Sequence, residues 1–171
     1  IGGNVTVIAP PNPTYAATYA MDRDVGYLVG LAYEKPEIAL RVALTYASKT
    51  EHDMDTSIAG VGFVGTETIE LPKSVTLDFQ SGVAANTLVF GSIRWVDWTA
   101  TRLNSIGYPV ANQPLIGHDN DTITYSLGVG RKFNDNWSGA VSVGYEKSNG
   151  GIASNLSPTD GNKSIGLGVT Y

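Results

Sequence analysis

The sequence contains no cysteine and carries no excess of positive charge. Without cysteine, a disulfide scaffold, a thiolate metal site and a cysteine nucleophile are excluded. The net charge of −5 argues against a nucleic-acid partner, because phosphates need a basic surface. No apolar run approaches the roughly 18 residues of a membrane-spanning helix. The amino terminus lacks a basic stretch followed by an apolar core, so we expect a mature or truncated chain.

What the sequence does contain favours β structure. Its 171 residues include twenty glycines, nine tyrosines and three tryptophans, and only 16% are charged. Aromatic and β-branched residues suit a pleated surface, so strands should dominate. The length allows one ordinary domain.

Large apolar residues alternate with small ones along most of the chain. In residues 24–53, DVGYLVGLAYEKPEIALRVALTYASKTEHD, valine, leucine and tyrosine occupy every second position on both sides of EKPE. A period of two indicates strands, and a short turn between two of them indicates a hairpin. The same pattern predicts seven strands, at 25–33, 38–47, 74–82, 87–98, 121–133, 137–148 and 163–171.

The connections alternate in length. Short turns at 34–37, about 83–86 and 134–136 alternate with long polar segments at 48–68, 100–121 and 148–162. Outer-membrane barrels sort their short periplasmic turns and long extracellular loops in this way, whereas soluble sandwiches rarely do. We therefore predict an all-β fold, an antiparallel up-and-down transmembrane β-barrel, with the chain as one barrel segment. The long segments would be extracellular loops, and residues 1–22 an upstream strand end and loop.

The two faces of the predicted strands differ in chemistry. One face is large and apolar, while the other consists mostly of glycine, alanine, serine and threonine rather than the charged coat of a soluble sheet. We predict that the large residues face lipid and the small ones a lumen. Aromatic residues near the strand ends would form two interface girdles, although they would also cap an ordinary β core. They are Tyr33, Phe133 and Trp137 beside the short turns, and Tyr46, Trp95, Trp98, Tyr125 and Tyr145 towards the long segments.

The strand TLVFGSIRWVDW has two alternative orientations. An arginine facing lipid near mid-membrane costs about 2–4 kcal/mol, so we predict that Arg94 points inward. Leu88 and Phe90 then also face the lumen. The candidate ligand-binding residues are therefore Arg41, Asp78, Leu88, Phe90 and Arg94. Arg41 and Arg94 would meet a carboxylate headgroup or, alternatively, pair with acids such as Asp78 and Asp97.

Several segments in order resemble a known family. VGYLVGLAYE, EIALRVALTYASKTEHDMD, ELPKSVTLDFQSGV, GSIRWVDWTA and YSLGVGRKFNDNWSGAVSVGYEKS resemble the central region and following hairpin of FadL-type outer-membrane long-chain fatty-acid transporters. The resemblance covers roughly residues 20–171. It implies a barrel of fourteen antiparallel strands that binds hydrophobic molecules and releases them sideways through its wall. The family's asparagine-proline-alanine motif and plug are not seen, so the chain would be a carboxy-terminal part of a larger barrel.

Two acidic runs contain side chains of the types that bind metal ions. KTEHDMD offers Glu51, His52, Asp53 and Asp55, and GHDND offers His118, Asp119 and Asp121. Neither has the ligand positions and turn glycine of a calcium loop, so we expect solvated acidic loops and no metal or other cofactor. Both histidines lie in predicted loops and no nucleophile elbow occurs, so we expect no catalytic residues and no enzyme activity.

These observations predict passive uptake of hydrophobic compounds, foremost long-chain fatty acids, across the outer membrane of a Gram-negative bacterium. The partners would be that passenger and outer-membrane lipid, with no nucleic acid. An alternative is a structural or receptor barrel whose acidic loops bind a surface protein or a phage. A third interpretation is a soluble β-sandwich binding module.

Overall fold

The computed structural model describes residues 1–7, 15–109, 114–150 and 160–171. In these ranges the chain is almost entirely antiparallel β structure, and its helical pieces are two short 3-10 turns, Pro36–Ile38 and Trp98–Ala100. None of the described residues belongs to a helix long and apolar enough to cross a membrane. The strands are β1 (Gly3–Val7), β2 (Tyr15–Tyr19), β3 (Leu28–Lys35), β4 (Leu40–Ala47), β5 (Thr50–Ala59), β6 (Phe63–Leu71), β7 (Ser74–Ala84), β8 (Thr87–Val96), β9 (Arg102–Leu103), β10 (Ile116–Gly117), β11 (Thr122–Lys132), β12 (Ser138–Glu146) and β13 (Asn162–Thr170).

The main element is a seven-stranded antiparallel sheet with the order β13-β12-β11-β8-β7-β4-β3. It contains the three predicted hairpins, β3–β4, β7–β8 and β11–β12, and the predicted last strand. The predicted all-β, up-and-down arrangement is therefore confirmed. The first strand of the main sheet, β3, starts at Leu28 rather than at the predicted Val25. Val25 precedes this strand and is 91% exposed.

Three of the remaining strands, β2, β5 and β6, continue the hydrogen-bonded ladders of β3, β4 and β7 beyond one end of the main sheet. Arg41 of β4 faces Gln80 of β7, and Glu51 of β5 faces Glu70 of β6. Glu51 lies ten residues after Arg41, and Glu70 lies ten residues before Gln80. The register of the β4–β7 pair therefore continues unchanged into the β5–β6 pair. The pairs β3–β4 and β2–β5 are in register in the same way. The sequence interpretation missed this continuity.

Most of the segment predicted as a loop at 48–68 is consequently a hairpin. Its acidic residues misled the sequence interpretation, because they alternate with buried residues along β5. His52, Met54, Thr56 and Ile58 are buried, while the carboxylates between them are exposed. The hairpin turns at Gly60 and Gly62, both of which have positive φ. Residues 1–22 likewise contain β1 and β2, and 100–121 contains β9 and β10.

Strands β1, β2, β5, β6, β9 and β10 form a second body, here called the cap. It consists of a four-stranded sheet, β1-β2-β5-β6, and the two-stranded β10-β9 beside β6. The cap encloses a small hydrophobic core, formed by Tyr15, Ala17, Tyr19, Met54, Ile58, Ile69, Leu103 and Leu115. It has the burial pattern of a water-soluble sheet, with one face packed and one face polar.

The main sheet has the opposite pattern. One of its faces, here called the outer face, carries large apolar side chains that remain exposed. They include Val29, Leu31, Tyr33, Leu44, Ile93, Tyr125, Leu127, Val129, Val141, Val143, Tyr145, Ile165, Leu167 and Val169. A continuous apolar face of this extent marks an interaction surface.

Candidate ligand-binding face

The other face of the main sheet, here called the inner face, carries all five predicted ligand-binding residues. The strand register places Asp78 opposite Ser92, Gln80 opposite Phe90, and Gly82 opposite Leu88. Arg41 lies opposite Gln80, on the next strand. Arg94 lies opposite Thr76 and therefore shares this face. The five side chains thus come from three adjacent strands.

The middle of the inner face contains a depression of about 370 Å³. Its polar lining includes Arg41, Asp78, Gln80, Ser92 and Ser126, and the Phe90 ring is its aromatic lining. The Ser92 and Ser126 hydroxyls lie 2.9 Å apart, and the Ser92 backbone N–H also donates to Ser126 Oγ. The depression therefore combines hydroxyl, amide and charged groups with one aromatic ring.

A wider trough of about 870 Å³ lies at the short-turn end of the same face. Its apolar lining includes Ile38, Val83, Leu88 and Phe90. Four small residues contributed by β7, β11, β12 and β13 widen it: Gly82, Gly130, Ala140 and Gly168. Phe90 lines both the trough and the central depression, so the two adjoin at its ring.

The Phe90 ring packs over a glycine on the neighbouring strand. Gly128 lies directly opposite Phe90, and a Cβ atom at this glycine would come within 2.5 Å of the ring. Packing of an aromatic ring over a cross-strand glycine compensates for the side chain that glycine lacks. The sequence interpretation did not recognise this pair, because it requires the β8–β11 register across a long connection.

The charged residues of the inner face differ in their partners. Arg41 Nε lies 3.1 Å from Glu34 Oε1, so this arginine is ion-paired. Asp78 is exposed, and among the described residues its carboxylate has no hydrogen-bond or ion-pair partner. Arg94 is exposed and lies outside both hollows, towards the cap. Asp97 pairs with Lys73 rather than with an arginine of the inner face.

A belt of charges and aromatic rings marks the junction between main sheet and cap. Lys73 Nζ lies 3.1 Å from Asp97 Oδ2, and this contact lowers the pKa of Asp97 and raises the pKa of Lys73. Lys49 is similarly paired with Glu70. Tyr46 and Trp95 lie in one cross-strand row on the main-sheet side of the junction, flanking Val75.

The other predicted interface aromatics lie as follows. Tyr125 and Tyr145 face each other on β11 and β12, and Trp98 lies in a 3-10 turn, with its ring 4.8 Å from that of His118. At the short-turn end, Phe133 and Trp137 flank the β11–β12 turn, and the Trp137 ring lies 4.8 Å from that of Tyr171. Tyr33 lies two residues before the end of β3. Their arrangement as membrane girdles stays a prediction.

The acidic run on β5 does not converge on a metal position. Asp53 accepts a hydrogen bond from Thr68, and Asp55 accepts one from Thr66, both across the hairpin. His52 is buried, with its Nδ1 at 3.2 Å from Asp22 Oδ2. In the ranges that the structure describes, no group of three His, Asp or Glu side chains has the geometry to hold a metal ion.

A buried polar network in the cap was missed at the sequence level. Glu67 accepts hydrogen bonds from Ser105 Oγ at 2.8 Å and from the Ile106 backbone N–H at 2.9 Å. The hydroxyls of Tyr15 and Tyr19 lie 2.6 and 2.9 Å from Ser105 Oγ, and burial is the main cause of the raised pKa of Tyr19. The network fastens the segment after β9 to β6. No local pattern could reveal it, since its members lie far apart in sequence.

Together, the seven-stranded antiparallel meander and its two unlike faces define a segment of an antiparallel β-barrel. A solved structure with this fold is the CymD monoaromatic hydrocarbon channel, with a TM-score of 0.54 and 16% sequence identity. The match covers 94% of this chain and 48% of that one, so the chain spans about half the length of the channel. No family model and no curated protein matches the sequence. Membership of the FadL-type family stays a prediction.

Proposed function

We propose that this chain is part of an outer-membrane barrel through which hydrophobic compounds pass passively, along the inner face of the main sheet. The observation that carries the proposal is the pair of adjoining hollows on that face, one polar and one apolar, meeting at Phe90. An amphipathic passage of this kind accommodates a molecule with a long or aromatic apolar part. The passage requires no cofactor and no catalytic step.

The distribution of apolar residues supports a membrane location. The outer face of the main sheet would lie in lipid, where its exposed leucine, valine and isoleucine side chains are stable. The cap, with a buried core and an acidic exposed face, would lie in water on the extracellular side. The junction belt would lie in the headgroup region, where aromatic and charged residues are favourable. We assign the protein to the outer membrane of a Gram-negative bacterium.

A closed barrel needs further strands beyond the main sheet. In the described part of the chain, β3 and β13 each pair on one side along the main sheet and leave the other edge free. Both run from the cap towards the short turns, so antiparallel closure requires an odd number of additional strands. Seven more strands would complete the fourteen that the FadL resemblance implies.

The strand pairing also constrains the proposed lateral release. The ladders from β3 to β13 are continuous, and the irregularity recorded between them is a register shift at Gly82 and Ala84, next to a short turn. An opening in the wall would need a broken ladder, so we place the exit beside β3 or β13 rather than between the described strands.

Two classes of passenger fit the proposal. The FadL resemblance implies long-chain fatty acids, and the structural neighbour is a channel for monoaromatic hydrocarbons. Both are hydrophobic molecules of a size that the two hollows accommodate. They differ in charge, which the charges of the inner face can discriminate.

Uptake by cells tests the proposal. Cells that contain the complete protein should take up labelled dodecanol or dodecanoate faster than cells that lack it. Leu88→Asp should reduce uptake of either compound, because it places a charge in the apolar trough. Val64→Asp is the matched control, since Val64 is 82% exposed on the cap. Equal uptake with and without the protein would refute the proposal.

A receptor role is the second candidate, and the cap supplies its supporting observation. Glu51, Asp53 and Asp55 form an exposed acidic row on β5, held on a regular hairpin rather than on an irregular loop. Neutralising all three to Gln or Asn should abolish adsorption of a phage or surface protein that uses this row, while uptake stays unchanged. Unaltered adsorption of every bound partner would exclude this role for the row.

A further inference from the structure

We infer that Asp78 and Arg94 together set the charge selectivity of the passage, and that its passengers are uncharged. The inference rests on the proposed function and specifies the class of compound that the same site admits. It depends on the balance of charges that remains on the inner face after the ion-paired groups are excluded.

Several charged residues of the inner face are already paired with an opposite charge. Arg41 is paired with Glu34, and Lys132 lies 2.8 Å from Asp135 in the short turn. Glu146, at the cap end of β12, keeps its negative charge, because its hydrogen bond comes from the neutral Thr124 hydroxyl; it lies two strands from Arg94 in the same cross-strand row. The unpaired charges of this face on the strands next to the central depression are the Asp78 carboxylate and the Arg94 guanidinium.

These two residues are diagonal neighbours on adjacent strands. Asp78 lies opposite Ser92, and Arg94 is two residues further along β8 on the same face. Diagonal Cβ atoms in antiparallel strands lie about 7–8 Å apart, near enough for strong mutual influence in an enclosed lumen. Yet the two side chains form no ion pair, and both are exposed. A passenger in the depression therefore meets the Asp78 carboxylate directly, with Arg94 beyond it towards the cap, and encounters no net positive charge.

This balance disfavours a charged headgroup and suits a neutral one. A carboxylate drawn to Arg94 or Arg41 would be repelled by Asp78, and it would lose hydration without a net positive charge in return. An uncharged hydroxyl or carbonyl has partners in the Ser92–Ser126 hydroxyl pair and the Gln80 amide, which line the depression. The apolar part of the passenger would extend past Phe90 into the trough.

The test compares two probes of equal chain length at pH 8, uncharged dodecanol and anionic dodecanoate. Uptake is measured in cells that contain the complete protein, after subtraction of uptake by cells that lack it. Wild type should favour dodecanol. Asp78→Asn removes the carboxylate next to Arg94 and should raise the ratio of dodecanoate to dodecanol uptake about three- to tenfold. Arg94→Gln should lower dodecanoate uptake further.

The double variant, Asp78→Asn with Arg94→Gln, separates charge balance from any individual effect of either residue. It removes both charges and should restore the wild-type ratio of dodecanol to dodecanoate. Asp53→Asn, on the cap, is the matched control and should leave the ratio unchanged. A single Asp78→Asn variant with the wild-type ratio, or a double variant that behaves like Asp78→Asn, would overturn the inference. If cells with the wild-type protein took up neither probe faster than cells that lack it, the proposed function itself would be overturned.

Discussion

Three carboxylates of the described residues lie in distinct environments, and each environment gives the carboxylate a different task. Glu67 is buried in the cap and accepts two hydrogen bonds. Asp24 lies in the connection between β2 and β3 and accepts hydrogen bonds from backbone N–H groups. Asp78 is exposed on the inner face without a partner among the described residues. The residue type alone therefore does not predict the role.

Removal of the Glu67 carboxylate should loosen the segment that follows β9. Glu67→Ala leaves the Ser105 hydroxyl and the Ile106 backbone N–H without their acceptor, which costs about 1–3 kcal/mol for buried groups. Hydrogen exchange of the Ile106 amide should accelerate by roughly ten- to a hundredfold. Glu51→Ala, on the exposed side of the cap, is the control and should have no such effect. Unchanged exchange at Ile106 would show that the network does not hold the segment.

Protonation of Asp24 should weaken the junction of cap and main sheet. The Glu51 and Val25 backbone N–H groups donate to its carboxylate and lower its pKa below the ordinary value of 3.8. Because the folded-state pKa is the lower one, this stabilisation is complete above pH 3.8 and disappears as the pH falls through the folded-state pKa. The Glu51 amide NMR resonance should therefore titrate with a midpoint below 3.8. Asp24→Asn should abolish that step, and a midpoint above 3.8 would contradict the assignment.

At the scale of elements, the same strand patterns serve two environments. The hairpin from β4 through β7 runs from the main sheet into the cap without a change of register. In the main sheet its large apolar residues are exposed or half-buried on the outer face, whereas in the cap Met54, Ile58 and Ile69 are buried. Main-sheet packing across strands depends instead on pairs such as Phe90 over Gly128.

Substitution of Gly128 should destabilise the main sheet through Phe90. The added Cβ in Gly128→Ala would lie 2.5 Å from the ring, so the ring or the strand must move, at a cost of about 1–3 kcal/mol. Gly168→Ala is a matched control, because a Cβ there meets nothing within 4 Å. The free energy of unfolding of the complete protein in lipid bilayers measures both. Equal stabilities of the two variants would show that Phe90 is not seated on Gly128.

At the scale of the whole molecule, the two faces of the main sheet require different surroundings. The outer face is an exposed apolar surface, and the inner face combines small, polar and charged residues around the two hollows. A soluble protein would bury the first face in a core, as the cap does with its own apolar residues. We therefore expect the two faces to respond differently to an added charge.

Adjacent residues of β4 provide the sharpest comparison. Leu44 belongs to the outer face and Ala43 to the inner face, opposite Asp78. In a bilayer, Leu44→Arg should lower the free energy of unfolding by about 2–4 kcal/mol, because the guanidinium would enter the hydrocarbon region. Ala43→Arg should change it by less than about 1 kcal/mol, since an arginine there stays in the lumen near a carboxylate. Equal penalties at the two positions would contradict the proposed orientation.

The sequence predicts the main sheet well and the cap poorly. Alternation along single strands is a local property, so all seven main-sheet strands were predictable, and the cost of an arginine in lipid placed Arg94 on the same face as Asp78. The hairpin β5–β6 has an equally regular alternation, but its polar residues and the prior expectation of a loop concealed it. Two other contacts are not local. Glu67 and Ser105, which share a hydrogen bond, lie 38 positions apart in the sequence, and so do Phe90 and Gly128, which pack against each other.

The sequence by itself determined the all-β class, the strand order of the hairpins and the unlike chemistry of the two strand faces, because these follow from a period of two and from turn lengths. Only the tertiary structure decided the register between hairpins, the in-register continuation of three strands into the cap, and the partners of each charge. These depend on contacts across long connections, where many registers satisfy the same alternation and only the packing of distant side chains selects one. The balance of Asp78 and Arg94 belongs to this second group, since it exists only in that register.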